Sequence, residues 1–222
     1  MKVAQLWRQP VTYAAIGATQ AVDLLRYPPP GYRAIERRMR IGHGMDRFEF
    51  ARTETLTWGI QRNSGFRVIP TDSPAAVTEQ TYVPVSFDEA GEPVVPASTT
   101  SEEVVYGEDG TRHLAPGDTA LLRVAIGMRL PVRVIYVVDE PARVGFAYGT
   151  LSGHPEDGEE AWTIEHRDDD SVWITVRAFS RPANLFWWCG YPILRIVQEV
   201  YTRRYLRSLA GPITTDPIST EP

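Results

Sequence analysis

An α+β fold, in which an antiparallel sheet carries one long C-terminal helix, is what this 222-residue chain predicts. Three observations lead to it. From Pro116 to Ser180, apolar residues alternate with period two between clusters of turn residues, the pattern of antiparallel strands. Near the start, the stretch that opens at Gly44 has the spacing of a short amphipathic helix. After Pro192 the period lengthens to that of a helix, which runs on to Gly211 and Pro212.

Residues 1–44 read as an irregular lead-in. Tyr27-Pro28-Pro29-Pro30-Gly31-Tyr32 is a turn or polyproline segment, and Arg33, Arg37, Arg38 and Arg40 follow it. These arginines either hold a phosphate or carboxylate or form the solvated edge of a strand that pairs with the acidic insert, the second being favoured. Gly44-Met45-Asp46 opens a helix to Trp58 with Gly59 as its stop, and Phe48, Ala51 and Thr55 share its packed face. Phe66 to Pro70 is a strand. Between Thr71 and Asp118, ten acidic residues face a single Arg112, a local charge of −9 that leaves the rest of the chain at +4 out of a total of −5. This stretch is rich in Pro, Gly, Ser and Thr, with strand-like pieces at Thr81 to Val85 and Glu103 to Tyr106. It reads as an insertion at about 71–116, a lid or hairpin, within one domain spanning 1–210. Residues 211–222 form a loose tail.

The regular part then begins. Thr119 to Ile126 and Val132 to Val138 are strands, and Asp139-Glu140-Pro141-Ala142 turns into Val144 to Leu151. Ala161 to His166 and Val172 to Ser180 form a hairpin, which completes a meander of at least five strands. In the third strand, Gly145, Ala147 and Gly149 leave one face nearly bare, so a backbone or ligand comes close there; the last helix is the expected neighbour. In the fifth strand, Val172, Ile174, Val176 and Ala178 make an aliphatic face and Trp173, Thr175, Arg177 and Phe179 a mixed one, and either could be interior. On the C-terminal helix, Ile193, Ile196, Val197, Val200 and Tyr201 make an apolar stripe continued by Leu206 and Leu209. Trp187 and Trp188 cap a pocket mouth, pack as core or touch a membrane interface, with core as the first expectation.

Composition narrows the function classes. A content of 43% hydrophobic and 23% charged residues is ordinary for a globular protein, and the net charge of −5 makes no global case for nucleic acid or for an anionic membrane. The longest apolar run, Leu185 to Leu194, is too short to span a bilayer, so no membrane span is expected. Pro10, Gln20 and Asp23 interrupt any apolar signal-peptide core. The lone Cys189 forms no internal disulfide, fits a reducing cytoplasm and is expected to be a buried, inert thiol. His43, His113, His154 and His166 fall at irregular intervals without an HxH or HExxH pattern, so no metal is expected. Nucleophile elbows, phosphate loops and dinucleotide fingerprints are missing from the sequence as well, so no cofactor is expected.

Acid–base chemistry remains. Glu159 and Glu160 stand near His154 and Tyr148, and adjacent strand residues point to opposite faces, so at most one of the two glutamates looks into a pocket. Glu160 shares its face with Trp162 and Ile164. Against this stands a solvated hairpin loop whose glutamates pair with an arginine such as Arg181.

The order of elements resembles the helix-grip plan of START-like and polyketide-cyclase-like proteins, which implies a sheet curled round the terminal helix with a cavity between them. A second resemblance rests on five blocks: Tyr27 to Tyr32; Gly42-His43-Gly44; Arg133 to Pro141; Gly145 to Leu151 with Gly153-His154-Pro155 and Gly158-Glu159-Glu160; and Ala178-Phe179-Ser180-Arg181-Pro182. They resemble the signature blocks of the family known as domain of unknown function 1990, over about residues 11–70 and 117–209. This likeness implies a domain definition and no mechanism. The acidic stretch is longer than the family's usual connection, which suggests a specialised member.

Taken together, the expectation is a cofactor-independent cyclase or dehydratase acting on a hydrophobic, oxygenated small molecule such as a polyketide. Tyr148, His154, Glu160 and Arg181 would move protons or hold oxygens, and Trp162, Arg177, Phe179, Trp187 and Trp188 would contact the ligand. A non-catalytic lipid or small-molecule carrier or sensor is the alternative. A partner-binding module that uses the acidic insert is the third reading.

Overall fold

The computed structural model describes residues 3–71, 86–87, 93–94, 105–107, 110–124 and 127–212. Its strands are β1 (Arg33–His43), β2 (Arg67–Thr71), β3 (Ser86–Phe87), β4 (Pro93–Val94), β5 (Thr119–Arg123), β6 (Arg129–Glu140), β7 (Arg143–Thr150), β8 (Glu156–His166) and β9 (Ser171–Pro182). Its helices are α1 (Met45–Leu56), α2 (Gly59–Asn63), α3 (Leu185–Cys189) and α4 (Tyr191–Arg207). Seven strands make one curled antiparallel sheet in the order β1-β9-β8-β7-β6-β5-β2, while β3 and β4 pair separately. The architecture is the helix-grip type, with the long α4 against the sheet.

The lead-in contains more regular structure than expected. Arg33, Arg37, Arg38 and Arg40 belong to β1, which pairs with β9 and forms one end of the sheet. Charged side chains on an edge strand discourage pairing with another chain. Their expected partner, the acidic stretch, lies largely outside the described residues, as does the strand-like piece at Thr81 to Val85. Of the other piece, Tyr106 bridges to Arg112.

α1 buries Phe48, Ala51, Thr55 and Leu56 against the sheet, as its spacing predicts. It stops two residues before Trp58, which takes the left-handed conformation at φ 67° and redirects the chain. Gly59, expected to end that helix, opens α2 instead. Phe48, Trp58, Ile60, Phe146, Trp162, Ile174 and Tyr205 belong to the main core on the helix side.

That core decides the face of β9 that the sequence left open. Val172, Ile174, Val176 and Ala178 point inward and are buried. The mixed face lies outside, where Trp173 sits under Arg38 and Arg167, and Arg177 ion-pairs with Glu36 at 3.0 Å.

The bare face of β7 corrects the expectation about its neighbour. Val144, Phe146 and Tyr148 are the residues that face the helices, so Gly145, Ala147 and Gly149 face the other way. The N-terminal segment covers that second side. Leu6 packs with Leu121 and Leu151, Tyr13 and Leu24 with Phe179, and Val11 and Ile16 with Ala147. Arg133 holds the segment by donating to the Trp7 and Gln9 carbonyls at 2.6 and 2.7 Å.

A Cβ at Gly149 would overlap the Tyr13 hydroxyl, and one at Gly145 the Trp162 carbonyl oxygen. Gly149→Ala is therefore expected to push Tyr13 out of place and cost about 1–3 kcal/mol, the usual range for overpacking, in urea denaturation.

α4 is also rotated relative to its predicted stripe. Leu194, Thr202 and Tyr205 are buried, with Gln198 and Tyr201 between them, whereas Ile193, Ile196 and Val200 are exposed. Residues 194, 198, 201, 202 and 205 follow helical spacing as well as the apolar set does, so polar side chains hid the inward face.

Candidate functional site

A cavity of about 100 Å³ lies between the helix side of the sheet and the N-terminal half of α4. Phe66, Val124, Met128, Leu130, Leu194 and Val197 supply apolar walls. Tyr148, His154, Glu156, Glu160, Ser180, Gln198 and Tyr205 bring polar groups to the same space.

Strand parity places the two carboxylates. Glu156, Gly158, Glu160, Trp162 and Ile164 alternate along β8, so Glu156 and Glu160 reach the helix side four residues apart. Both keep some surface toward the cavity while lying deep among protein atoms. Tyr148 donates to Glu160 Oε2 at 3.0 Å, and the Tyr205 hydroxyl lies 3.5 Å beyond. Burial pushes the Glu160 carboxyl up to about 8; the Tyr148 hydrogen bond opposes the rise and the Glu156 charge adds to it. Tyr148 and Tyr205 are held well above the usual phenol range, chiefly by burial.

Glu156 sits at the β8 start. Ser180 donates to its Oε1 at 3.2 Å and itself accepts from the Gln198 amide at 3.0 Å, so this chain of contacts ties β8 and β9 to α4. Burial raises Glu156 to about 7, against the pull of Ser180.

His154 precedes it in the connecting turn. Its Nδ1 lies 2.9 Å from the Glu156 carbonyl oxygen and 3.0 Å from the Glu156 backbone N–H, so it donates to the first in one tautomer of the neutral ring and accepts from the second in the other. Burial lowers this imidazole to about 4, so it is uncharged at neutral pH.

Glu159 points to the opposite side and is buried. Tyr13 Oη and the Gly17 N–H each donate to its Oε2 at 2.7 Å, while the Thr19 N–H and Oγ1 donate to Oε1 at 3.0 and 2.5 Å. It clasps the N-terminal segment onto the sheet. Neither glutamate pairs with an arginine.

Of the sequence-predicted residues, the fold brings Tyr148, His154 and Glu160 together at the cavity. Arg181 does not join them, because odd-numbered β9 residues face away: its guanidinium lies over the Tyr32 ring and 3.5 Å from Asp157. The same parity takes Arg177 to Glu36, and it takes the Phe179 ring to Tyr13 and Tyr32 although that residue borders the cavity. Trp162 is fully buried below the cavity, its ring stacked among Phe146, Tyr148 and Tyr205. Trp187 and Trp188 lie on α3, away from the lining, and Trp188 is exposed rather than core. Cys189, expected to be buried, is exposed too.

Glu156, Ser180, Gln198 and Tyr205 were not anticipated. The signal for Glu156 was present, since the alternation that selects Glu160 extends back to it. Gln198 and Tyr205 carried only the i, i+7 relation, beside a predicted stripe of which Val197, Tyr201, Leu206 and Leu209 face inward and Ile193, Ile196 and Val200 outward.

Among the described residues no cluster of three or more His, Cys, Asp or Glu side chains is placed to hold a metal ion. No helix among them is long and apolar enough to cross a membrane.

Comparison with known proteins gives the following. The chain is 43% identical over 77 residues to a UPF0548 protein of Deinococcus radiodurans, which is 35% of this chain and 39% of the relative. It is 36% identical over 80 residues to UPF0548 protein At2g17695 of Arabidopsis thaliana, 33% of this chain and again 39% of the relative. The chain thus aligns with well under half the length of each. Among solved structures, a hypothetical protein of Helicobacter pylori, jhp0584, superposes with a TM-score of 0.46 at 13% identity, over 82% of this chain and 89% of that one. Ara h 8.0201 superposes with a TM-score of 0.40 at 9% identity, over 82% and 100%. The family model described as Domain of unknown function (DUF1990) matches residues 12–106 and 84–208, and the chain belongs to that family.

Proposed function

We propose that this domain binds a hydrophobic, oxygenated small molecule in the cavity beneath α4 and acts on it by cofactor-independent proton transfer, of the kind used in cyclisation or dehydration of polyketide-like compounds. The observation that carries this reading is the convergence of Glu160, Glu156 and His154 on one apolar cavity with pKa values of about 8, 7 and 4. Carboxyls tuned toward neutral pH are suited to proton transfer. Glu160, neutral at pH 7, donates a proton or hydrogen bond to a ligand oxygen while Tyr148 fixes its other oxygen. Glu156, half ionised there, accepts a proton from carbon or from water. Arg181 has no part in this, because it faces the other side of the sheet.

The cavity is small compared with the ~300–1,000 Å³ of drug-sized ligand sites. A larger ligand therefore displaces the α4 wall of Leu194, Val197 and Gln198 and breaks the Gln198–Ser180 contact. The carrier reading draws on the apolar walls and needs the same opening.

The test is deuterium exchange at the α-carbon of 2-tetralone in D₂O, followed by NMR, with a parallel titration of binding. Wild type is expected to exchange the label above the buffer rate, and Glu160→Gln to lose at least about a hundredfold of that gain. The pH profile is expected to be a narrow bell that rises near 7 with Glu156 and falls near 8 with Glu160. Exchange at the buffer rate would remove catalysis and leave the carrier. Absence of saturable tetralone binding and of any co-purified ligand in a native mass spectrum would remove both.

A further inference from the structure

The outward face of α4 continues into α3 as an apolar surface that no other element among the described residues covers. Leu185, Phe186 and Trp188 protrude from α3, and Ile193, Ile196 and Val200 line the outer side of α4; Leu185 and Phe186 keep 79% and 75% of their surface exposed and Ile193 70%. The spacing 193, 196, 200 continues to Arg203 and Arg207, so one helix face is apolar at its N-terminal half and cationic at its C-terminal half, while the neighbouring Arg204 turns back over the Tyr201 ring toward the Ser64 carbonyl. Arg195 adds a cation at its flank. Of these arginines only Arg203 has an acidic partner among the described residues, Glu199 at 2.9 Å, and both members of that pair are exposed.

We infer that this face docks the domain onto an anionic lipid bilayer, with Leu185, Phe186 and Trp188 inserted among the acyl chains and the arginines at the headgroups. The pattern is that of an interfacial helix, apolar and aromatic residues on the buried side with cations level with the phosphates. The charge argues against a second copy of the chain as the occupant. Self-association through this stripe would bury Arg203 and Arg207 with Glu199 as the sole counter-charge on the face. Leu194, Val197 and Gln198, on the inward side of the same helix, wall the cavity, so docking would set the cavity's movable wall against the membrane. The docking itself does not depend on the proposed chemistry.

The test is co-flotation of the full chain with empty vesicles of phosphatidylcholine alone or mixed with phosphatidylserine, together with Trp188 quenching by brominated lipid. Binding to the anionic vesicles is expected at about 0.1 M salt, weakening as salt is raised. Replacing Arg203 and Arg207 together by Gln is expected to weaken it about thirty-fold. Phe186→Ser and Ile193→Ser are expected to abolish Trp188 quenching; both sites are exposed, so thermal melts serve as the fold control. The inference is overturned by failure to float with anionic vesicles, or by flotation that these four substitutions leave unchanged. It is also overturned if wild type sediments as a dimer that Phe186→Ser converts to monomer, which would mean that a second copy covers the face.

Discussion

Glu159→Ala is expected to cost about 3–5 kcal/mol in urea denaturation, the loss associated with breaking a buried charged cluster from one side. The carboxylate is nearly inaccessible and accepts four hydrogen bonds from Tyr13, Gly17 and Thr19, residues about 140 positions away in the chain. Alanine takes this acceptor from the Tyr13 hydroxyl and from the Gly17 and Thr19 N–H groups, while Thr19 Oγ1 keeps Tyr136 Oη at 2.8 Å. The segment they belong to, which covers the bare strand face around Gly149, is then held by Arg133, the Thr12–Thr150 pairing, the Val11–Leu151 bridge, the Thr19–Tyr136 and Arg177–Ala21 hydrogen bonds and apolar contacts. At about 2–4 °C per kcal/mol for a chain of this size, the melting temperature is expected to fall by about 10 °C or more. Glu159→Gln keeps the shape but exchanges an acceptor for a donor that faces other donors, so it is expected to recover only part of the loss. A change of under about 1 kcal/mol in Glu159→Ala, the usual worth of one hydrogen bond, would show that the clasp contributes little.

The second large effect is the dependence of stability on pH. Glu160 and Glu156 have folded-state values of about 8 and about 7 against an ordinary 4.5, so the folded chain keeps two protons that the unfolded chain releases. Their contribution is fully present below 4.5 and is lost as pH rises to 7 for Glu156 and to 8 for Glu160. His154 works in the other direction. Its value falls from 6.5 to about 4, so its contribution is present above 6.5 and is lost as pH drops toward 4. The glutamates act unopposed from 6.5 upward, and stability is expected to decline from there to pH 8, where most domains are flat. Glu160→Gln removes the proton that differs between the two states, so its advantage over wild type is expected to be small at pH 5 and to grow until about pH 8. Thermal melts across that range check this. Parallel curves for the two proteins would mean that the Glu160 carboxyl titrates as it does in water.

Much of this was legible in the residues. Period two along β7 and β8 set Tyr148 and Glu160 on one side and Glu159 on the other, and the switch to helical spacing after Pro192 set the long terminal helix. Those are local relations, carried by a few consecutive residues and by backbone geometry that does not vary with context. The edge character of the arginines in β1 rested on similar grounds.

Other features were decided only in three dimensions. Period two separates the faces of β7 and β9 but does not say which face the helices will cover; here the N-terminal segment took the glycine side and sent the aliphatic side of β9 inward. Arg177 and Arg181 left the cavity for that reason, and the Phe179 ring turned to Tyr13 and Tyr32. α4 offered two helical stripes of similar regularity, and the one containing Leu194, Gln198, Thr202 and Tyr205 turned inward because Ser180 and the cavity walls could satisfy its polar groups. The partners of Glu159 and the contacts of Glu156 join residues far apart in sequence. Alternation and helical spacing thus determined the elements and the sides of each strand, whereas packing between distant segments determined which sides met, because burial free energy depends on the covering surface and not on the strand's own pattern.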